Sequence, residues 1–172
     1  MEVSGVPSPY STTMPITKIV SGGETGVDRA ALDAALEAGF PCGGWVPGDR
    51  SAEDGVIASR YPVTPLPKGG TRQRTRLNVV DSDGTVIFFF EQLKGGARLT
   101  RNLCALEKRP YLLIDAHKTL DPHAAAGEVT EFVNRHSIHI LNVSGPRASR
   151  WPSGYDFVRS AIGECIGNEV VS

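Results

Sequence analysis

The segment Ser21-Gly22-Gly23-Glu24-Thr25-Gly26-Val27-Asp28, followed by Arg29, combines residue types suited to holding an anion. It leaves the apolar run Ile16-Thr17-Lys18-Ile19-Val20 and enters an alanine-rich helical pattern that reaches Ala38. Glycine lets a backbone turn tightly and lets a ligand approach its N–H groups. The following helix directs its unpaired N–H groups and the positive end of its dipole at the same point. A glycine-rich strand-to-helix turn also serves simple packing, and both readings stand on these residues. The segment is neither of the two well-known phosphate loops. No Lys-Ser/Thr pair follows a Gly-x-x-x-x-Gly, and there is no Gly-x-Gly-x-x-Gly.

Two further segments have the same character. Leu93-Lys94-Gly95-Gly96-Ala97-Arg98-Leu99-Thr100 follows a phenylalanine-rich run, and Asn142-Val143-Ser144-Gly145-Pro146-Arg147 ends another apolar run. Ligands of parallel sheets sit outside the carboxyl ends of the strands. Three glycine-bearing turns at such ends point to one shared crevice, although α/β folds need turn residues there in any case. Arg29, Lys94, Arg98, Arg101, Arg147 and Arg150 flank these turns. The planar guanidinium fork suits phosphate and other oxyanions. Arg147, held directly behind Gly-Pro, is the strongest single candidate, whereas Arg101, Arg150 and Arg159 read as solvated surface charges. Asp28 either closes a capping box begun at Thr25 or binds a ligand hydroxyl or amino group.

Other chemistry is poorly supported. His117, His123, His136 and His139 lack zinc-site spacing, and Asp81-Ser82-Asp83-Gly84 is a turn without the pattern of a calcium loop. There is no Gly-x-Ser-x-Gly elbow and no Cys-x-x-Cys pair.

The elements that must position these loops follow from periodicity. Strands are expected at Ile16–Ser21, Gly44–Val46, Thr85–Phe90, Tyr111–Asp115 and Ile138–Val143. Val86 to Phe90 is apolar on both faces, as a central parallel strand requires. Helices are expected at Thr25–Ala38, Thr71–Val80, Ala97–Lys108, Asp121 to about Arg135, and Ser153–Ile166. The third should bury Leu99, Leu103 and Leu106. This alternation predicts an α/β fold, a three-layer Rossmann-like sandwich with a mostly parallel central sheet. Residues Pro47 to Gly70 hold four prolines and read as an irregular, functional loop. Residues 1–15, rich in Ser, Thr, Pro and Gly, read as a flexible tail, and 16–172 as one ligand-binding domain.

Composition narrows the function. At 172 residues with a net charge of −1 and 22% charged residues, the chain does not read as a general nucleic-acid binder. No apolar run reaches membrane-spanning length, and the start lacks the pattern of a secretory signal. Three widely spaced cysteines, Cys42, Cys104 and Cys165, suit reduced thiols in a cytoplasmic protein.

Several segments together resemble the putative molybdenum carrier protein family. They are Ile19–Leu36, Gly43-Gly44-Trp45-Val46-Pro47, Ala52-Glu53-Asp54-Gly55, Arg60-Tyr61-Pro62, Gln73-Arg74-Thr75, Asn78-Val79, Asp81 to Thr85, and Leu141 to Arg147. The ordered series spans nearly all of Ile16 to Ile166. Such proteins are similar to a circularly permuted, YpsA-like branch of the SLOG superfamily, which also holds cytokinin-activating phosphoribohydrolases. The resemblance implies a nucleotide-binding type of fold and binding of the molybdenum cofactor, a phosphorylated pterin. It further implies a cytoplasmic homo-oligomer that delivers the cofactor to molybdoenzymes. The ligand-binding set so assembled is Ser21, Gly22, Gly23, Thr25, Gly26, Asp28, Arg29, Arg74, Gly95, Gly96, Thr100, Asn142, Ser144, Gly145, Pro146 and Arg147. The same loops suit a nucleotide or an ADP-ribose-like ligand. The second loop departs from the family pattern: Ala97 follows the glycines where a threonine is expected, and Asn102 stands where phosphoribohydrolases have a catalytic glutamate. No catalytic residue is assigned.

Overall fold

A computed structural model describes residues 16–167; the expected tail, 1–15, and the last five residues lie outside them. Among the described residues the chain forms nine strands and five helices. In chain order these are β1 (Lys18–Val20), α1 (Val27–Glu37), β2 (Cys42–Gly43), β3 (Trp45–Val46), β4 (Ser51–Ala52), β5 (Gly55–Val56), β6 (Thr64–Pro65) and α2 (Thr71–Val80). Then come β7 (Gly84–Phe89), α3 (Gly95–Leu106), β8 (Tyr111–Asp115), α4 (Pro122–His136), β9 (Ile140–Ser144) and α5 (Gly154–Gly167).

The central sheet has the order β2-β1-β9-β7-β8 and every neighbouring pair is parallel. This is the expected Rossmann-like α/β architecture. The chain leaves β1 toward one edge through α1 and leaves β7 toward the other edge through α3. Right-handed crossovers running in opposite directions put their helices on opposite faces. Their diverging starts leave a crevice at the carboxyl ends of the strands between them. Strand β9 fills the middle, so β1 and β7 stand two strand spacings apart.

The two faces of β7 show how the layers are filled. Val86 and Phe88 join the main core with Ile19, Val27, Ala31, Val129, Val133, Val143 and Ile162, which brings α1, α4 and α5 onto one face. On the other face α2 and α3 pack together through Val79, Leu103 and Cys104. All six residues of β7 are buried, as the apolar run demanded. Helix α1 is buried nearly all round, because its Leu32 also meets Val46, Ile57, Tyr61 and Val63. Truncating so enclosed a leucine costs about 2–5 kcal/mol.

Three expectations need correction. Leu106 is 69% exposed: it closes α3 beyond the reach of the sheet, and Leu103 and Cys104 carry the packing. Thr25 does not cap α1; the cap position is Gly26, with no side-chain bond, because the Thr25 hydroxyl is engaged elsewhere. The segment from Pro47 to Gly70 is not irregular throughout. It holds the β4–β5 hairpin and the β6 strand that pairs with β3. Arg50 cinches it, donating from Nε to the Ile57 carbonyl at 3.1 Å and from Nη2 to the Ala58 carbonyl at 2.9 Å. The Asp121 cap of α4 is present, its carboxylate accepting from His123 N at 3.0 Å.

Candidate functional site

The turns after β1, β7 and β9 converge on a cleft of about 700 Å³, within the range of small-ligand pockets. Of the residues expected there, Gly22, Asp28, Arg74, Gly95, Gly96, Thr100, Asn142, Ser144, Gly145, Pro146 and Arg147 line it. Ser21, Gly23, Thr25, Gly26 and Arg29 do not. Their places explain why.

The glycines of the first turn serve close packing of protein on protein. A side chain at Gly23, where φ is +77°, would meet Ile57 and Val46 at 2.9 Å. At Gly26, φ +79°, it would meet the backbone of Pro146 and Ala148 at 2.7 Å. Val27 N donates to the Pro146 carbonyl at 3.3 Å, so the turns after β1 and β9 are joined backbone to backbone. Arg29 lies behind the turn, donating to the Gly23 carbonyl and pairing with Asp54 at 2.9 Å. Ser21 is fully buried beneath it, its hydroxyl without a partner among the described residues.

Glu53, from the β4–β5 hairpin, is the buckle of this corner. Its carboxylate accepts from the Thr25 hydroxyl at 2.7 Å, from Ser149 N at 3.0 Å and from the Ser149 hydroxyl at 2.7 Å. It also stands 3.5 Å from Arg147 Nε. These hydrogen bonds, Ser149's hydroxyl first, hold its carboxyl below the ordinary range. Glu24 completes the corner by accepting from Thr25 N and Glu53 N at 2.8 and 2.9 Å. Sequence reading missed Glu53 as a site residue, because it binds partners 28 and 96 positions away. The Ala52-Glu53-Asp54-Gly55 match was its only signal.

The opposite wall is open. Helix α3 begins at Gly95 with Lys94 in the cap position and no side-chain cap bond. A side chain added at Gly95 or Gly96 would meet nothing within 4 Å. Thr100, one turn in, shares a 3.0 Å hydrogen bond with Ser144 across the cleft floor. Arg74 of α2 reaches over to donate from Nη1 to the Gly22 carbonyl at 2.7 Å. Arg150, exposed as expected, also lines the cleft. Among the described residues Arg74, Lys94 and Arg150 have no carboxylate within salt-bridge distance, whereas Arg147 has Glu53.

Asp28 is 7% exposed and lines the cleft. Burial pushes its carboxyl up to about 7, against the opposing pull of Arg74 and the Glu24 N–H. Its one hydrogen bond among the described residues is a long one, 3.4 Å from Glu24 N to Oδ2. Phe90, 44% exposed, and Trp151 lie at the cleft with ring centroids 6.2 Å apart.

Residues 19–166 match the model of the circularly permutated YpsA SLOG family. The chain belongs to that family. It is also similar to a solved structure from Syntrophus aciditrophicus SB, described as a putative molybdenum carrier protein. The two share 41% identity over 88% of this chain and 95% of that one, with a TM-score of 0.83. No curated protein matches this chain. The matched span, residues 19–166, takes in all three turns. In the second turn Gly95 and Gly96 lead into Ala97. Asn102 is exposed and accepts from Arg101 Nε at 3.1 Å, away from the cleft lining.

Proposed function

We propose that the cleft binds a phosphate-bearing small ligand, and that this ligand is the molybdenum cofactor, held for carriage or storage. The observation that carries the reading is the surplus of cations without a carboxylate partner, Arg74 over the β1 turn with Lys94 and Arg150, in a cleft that also holds the uncapped start of α3. An uncapped helix start offers N–H donors and a favourable dipole to an anion. Charge-assisted bonds from guanidinium to phosphate are the strong ones.

The donor set also fits a cargo that must be released. Cys42, Cys104 and Cys165 lie off the cleft, so no thiolate faces it. Among the described residues no cluster of His, Cys, Asp or Glu is arranged to hold a metal ion. Binding through phosphate, heterocycle and oxo groups leaves the metal free for its recipient. The solved relative's description as a molybdenum carrier supports the same reading. A cytoplasmic homo-oligomer that hands the cofactor to molybdoenzymes is part of this proposal.

The same cations and helix start suit the phosphates of a nucleotide or ADP-ribose-like ligand, which stays as the rival. Mass spectrometry of ligand co-purifying with the native protein, followed by titration with the cofactor against AMP and ADP-ribose, tests the choice. Cofactor in the native protein, displaced poorly by either nucleotide, is expected. Tight nucleotide binding without cofactor binding would replace the carrier by a nucleotide sensor.

A further inference from the structure

The acidic groups of the cleft are not spread evenly. Glu24, Asp28 and Glu53 stand on the wall built by the β1 turn and the β4–β5 hairpin, while Lys94, Gly95 and Gly96 form the wall after β7. Strands β1 and β7 flank β9, so the walls lie roughly 10 Å apart, two interstrand spacings of about 4.8 Å. Phosphate belongs at the cationic wall.

Glu24 and Glu53 are occupied, each accepting at least two hydrogen bonds from the protein. Asp28 is different. It is more than nine-tenths buried, it lines the cleft, and its Oδ1 has no hydrogen-bond partner among the described residues. That oxygen is not sealed inside the protein, where among the described residues only the buried Ser21 hydroxyl lacks a partner; it opens on the cleft. Capping does not engage it, since Asp28 is the second residue of α1 and its single bond to Glu24 N is 3.4 Å long. A carboxylate accepts two parallel hydrogen bonds from a pair of adjacent N–H donors.

Resting on the proposal above, we infer that Asp28 is the specificity group for the ligand's heterocycle. It receives an edge that presents two N–H donors side by side, as a 2-amino-4-oxopyrimidine does. The ligand then lies across β9 with its heterocycle toward Asp28 and its phosphate toward Lys94 and the start of α3. Rings without the amine offer a donor and an acceptor, and the acceptor faces a carboxylate oxygen. The expected discrimination is about tenfold or more, the range for one charge-assisted hydrogen bond lost in a buried site.

The test uses small probes that separate the two walls. Inorganic pyrophosphate probes the cations of the cleft, Arg74 among them, with no heterocycle to engage Asp28. 6-Hydroxymethylpterin and 6-hydroxymethyllumazine, which differ at the 2-position, probe Asp28 alone. Saturation-transfer NMR on the full chain, at a pH above the value of about 7 at which Asp28 ionises, should rank pterin above lumazine by about tenfold. Asp28→Asn should abolish the ranking and leave pyrophosphate affinity within a factor of about two. Equal binding of the two pteridines by the native protein, or binding of neither, overturns the inference whatever the variant does. Pyrophosphate that binds normally in that case leaves the phosphate-site proposal standing. Pyrophosphate that fails to bind removes that proposal separately.

Discussion

Arg74 donates from Nη1 to the Gly22 carbonyl at 2.7 Å, and its guanidinium fills the space where a side chain at position 22 would be. A Cβ there would lie 2.8 Å from Arg74 Cδ and Nη1. Glycine at 22 is therefore what lets the cation of α2 lean over the β1 turn and present itself to the cleft.

Gly22→Ala is expected to push Arg74 aside and weaken pyrophosphate binding about as much as Arg74→Ala does. A charge-assisted bond is worth about 1.5–3 kcal/mol, or roughly one to two decades in affinity. The double variant should lose no more than either single one. Additive losses in a calorimetric double-mutant cycle would show that the two residues act independently.

Gly23→Val is expected to act on the fold. The site demands φ of +77° and a side chain would strike Ile57 and Val46, a combination costing several kcal/mol. Gly96→Val meets open space at the cleft and should change stability little, since valine is no worse a helix former than glycine. Thermal melts should thus fall sharply for Gly23→Val, with pyrophosphate affinity reduced chiefly in Gly96→Val. An unchanged melt for Gly23→Val would contradict the packing described for the β1 turn.

Asp28 makes a pH prediction with a definite sign. In the unfolded chain its carboxyl ionises near the ordinary value of 3.8, and in the folded protein near 7, because burial opposes the charge. Between these values the folded state holds a proton that the unfolded state has lost, so stability falls as pH rises. The burden is complete above about 7 and amounts to a few kcal/mol. Asp28→Asn should therefore gain stability over the native protein progressively from about pH 4 to pH 7. Paired urea denaturation curves across that range would reveal a constant difference if the carboxyl titrated normally.

Phosphoribohydrolase activity is expected to be absent. Cleavage at the sugar needs a carboxylate beside the developing positive charge and a group to protonate the leaving base. Asn102 faces away from the cleft, and an amide supplies neither. Incubation with AMP and cytokinin nucleotides should yield no free base. Turnover abolished by Asp28→Asn or Glu24→Gln would make this chain an enzyme.

The sheet was legible because its central strand had to be apolar on both faces. Val86 to Phe89 announce that burial without reference to any partner. The crevice followed from the glycines at the three strand ends. Their division of labour was hidden. Gly23 and Gly95 look alike in a sequence, yet one faces Ile57 and Val46 and the other faces open space. What fills a glycine's empty side depends on residues distant along the chain. The same holds for Glu53, whose partners lie on two other loops, and for Leu106, whose helical spacing fits a core that ends one turn earlier.

The backbone-to-backbone junction of the β1 and β9 turns sets where this cleft can be re-engineered. No substituent fits at Gly26, and Gly145 is similarly closed by Phe88 and Val27. Residues 21–26 and 144–149 must change together or not at all. The φ of +59° at Gly95 still favours glycine, whereas Gly96 carries no such obligation, since an added Cβ meets nothing within 4 Å. A library aimed at new ligands would be placed there, and drift among relatives would leave its mark there first.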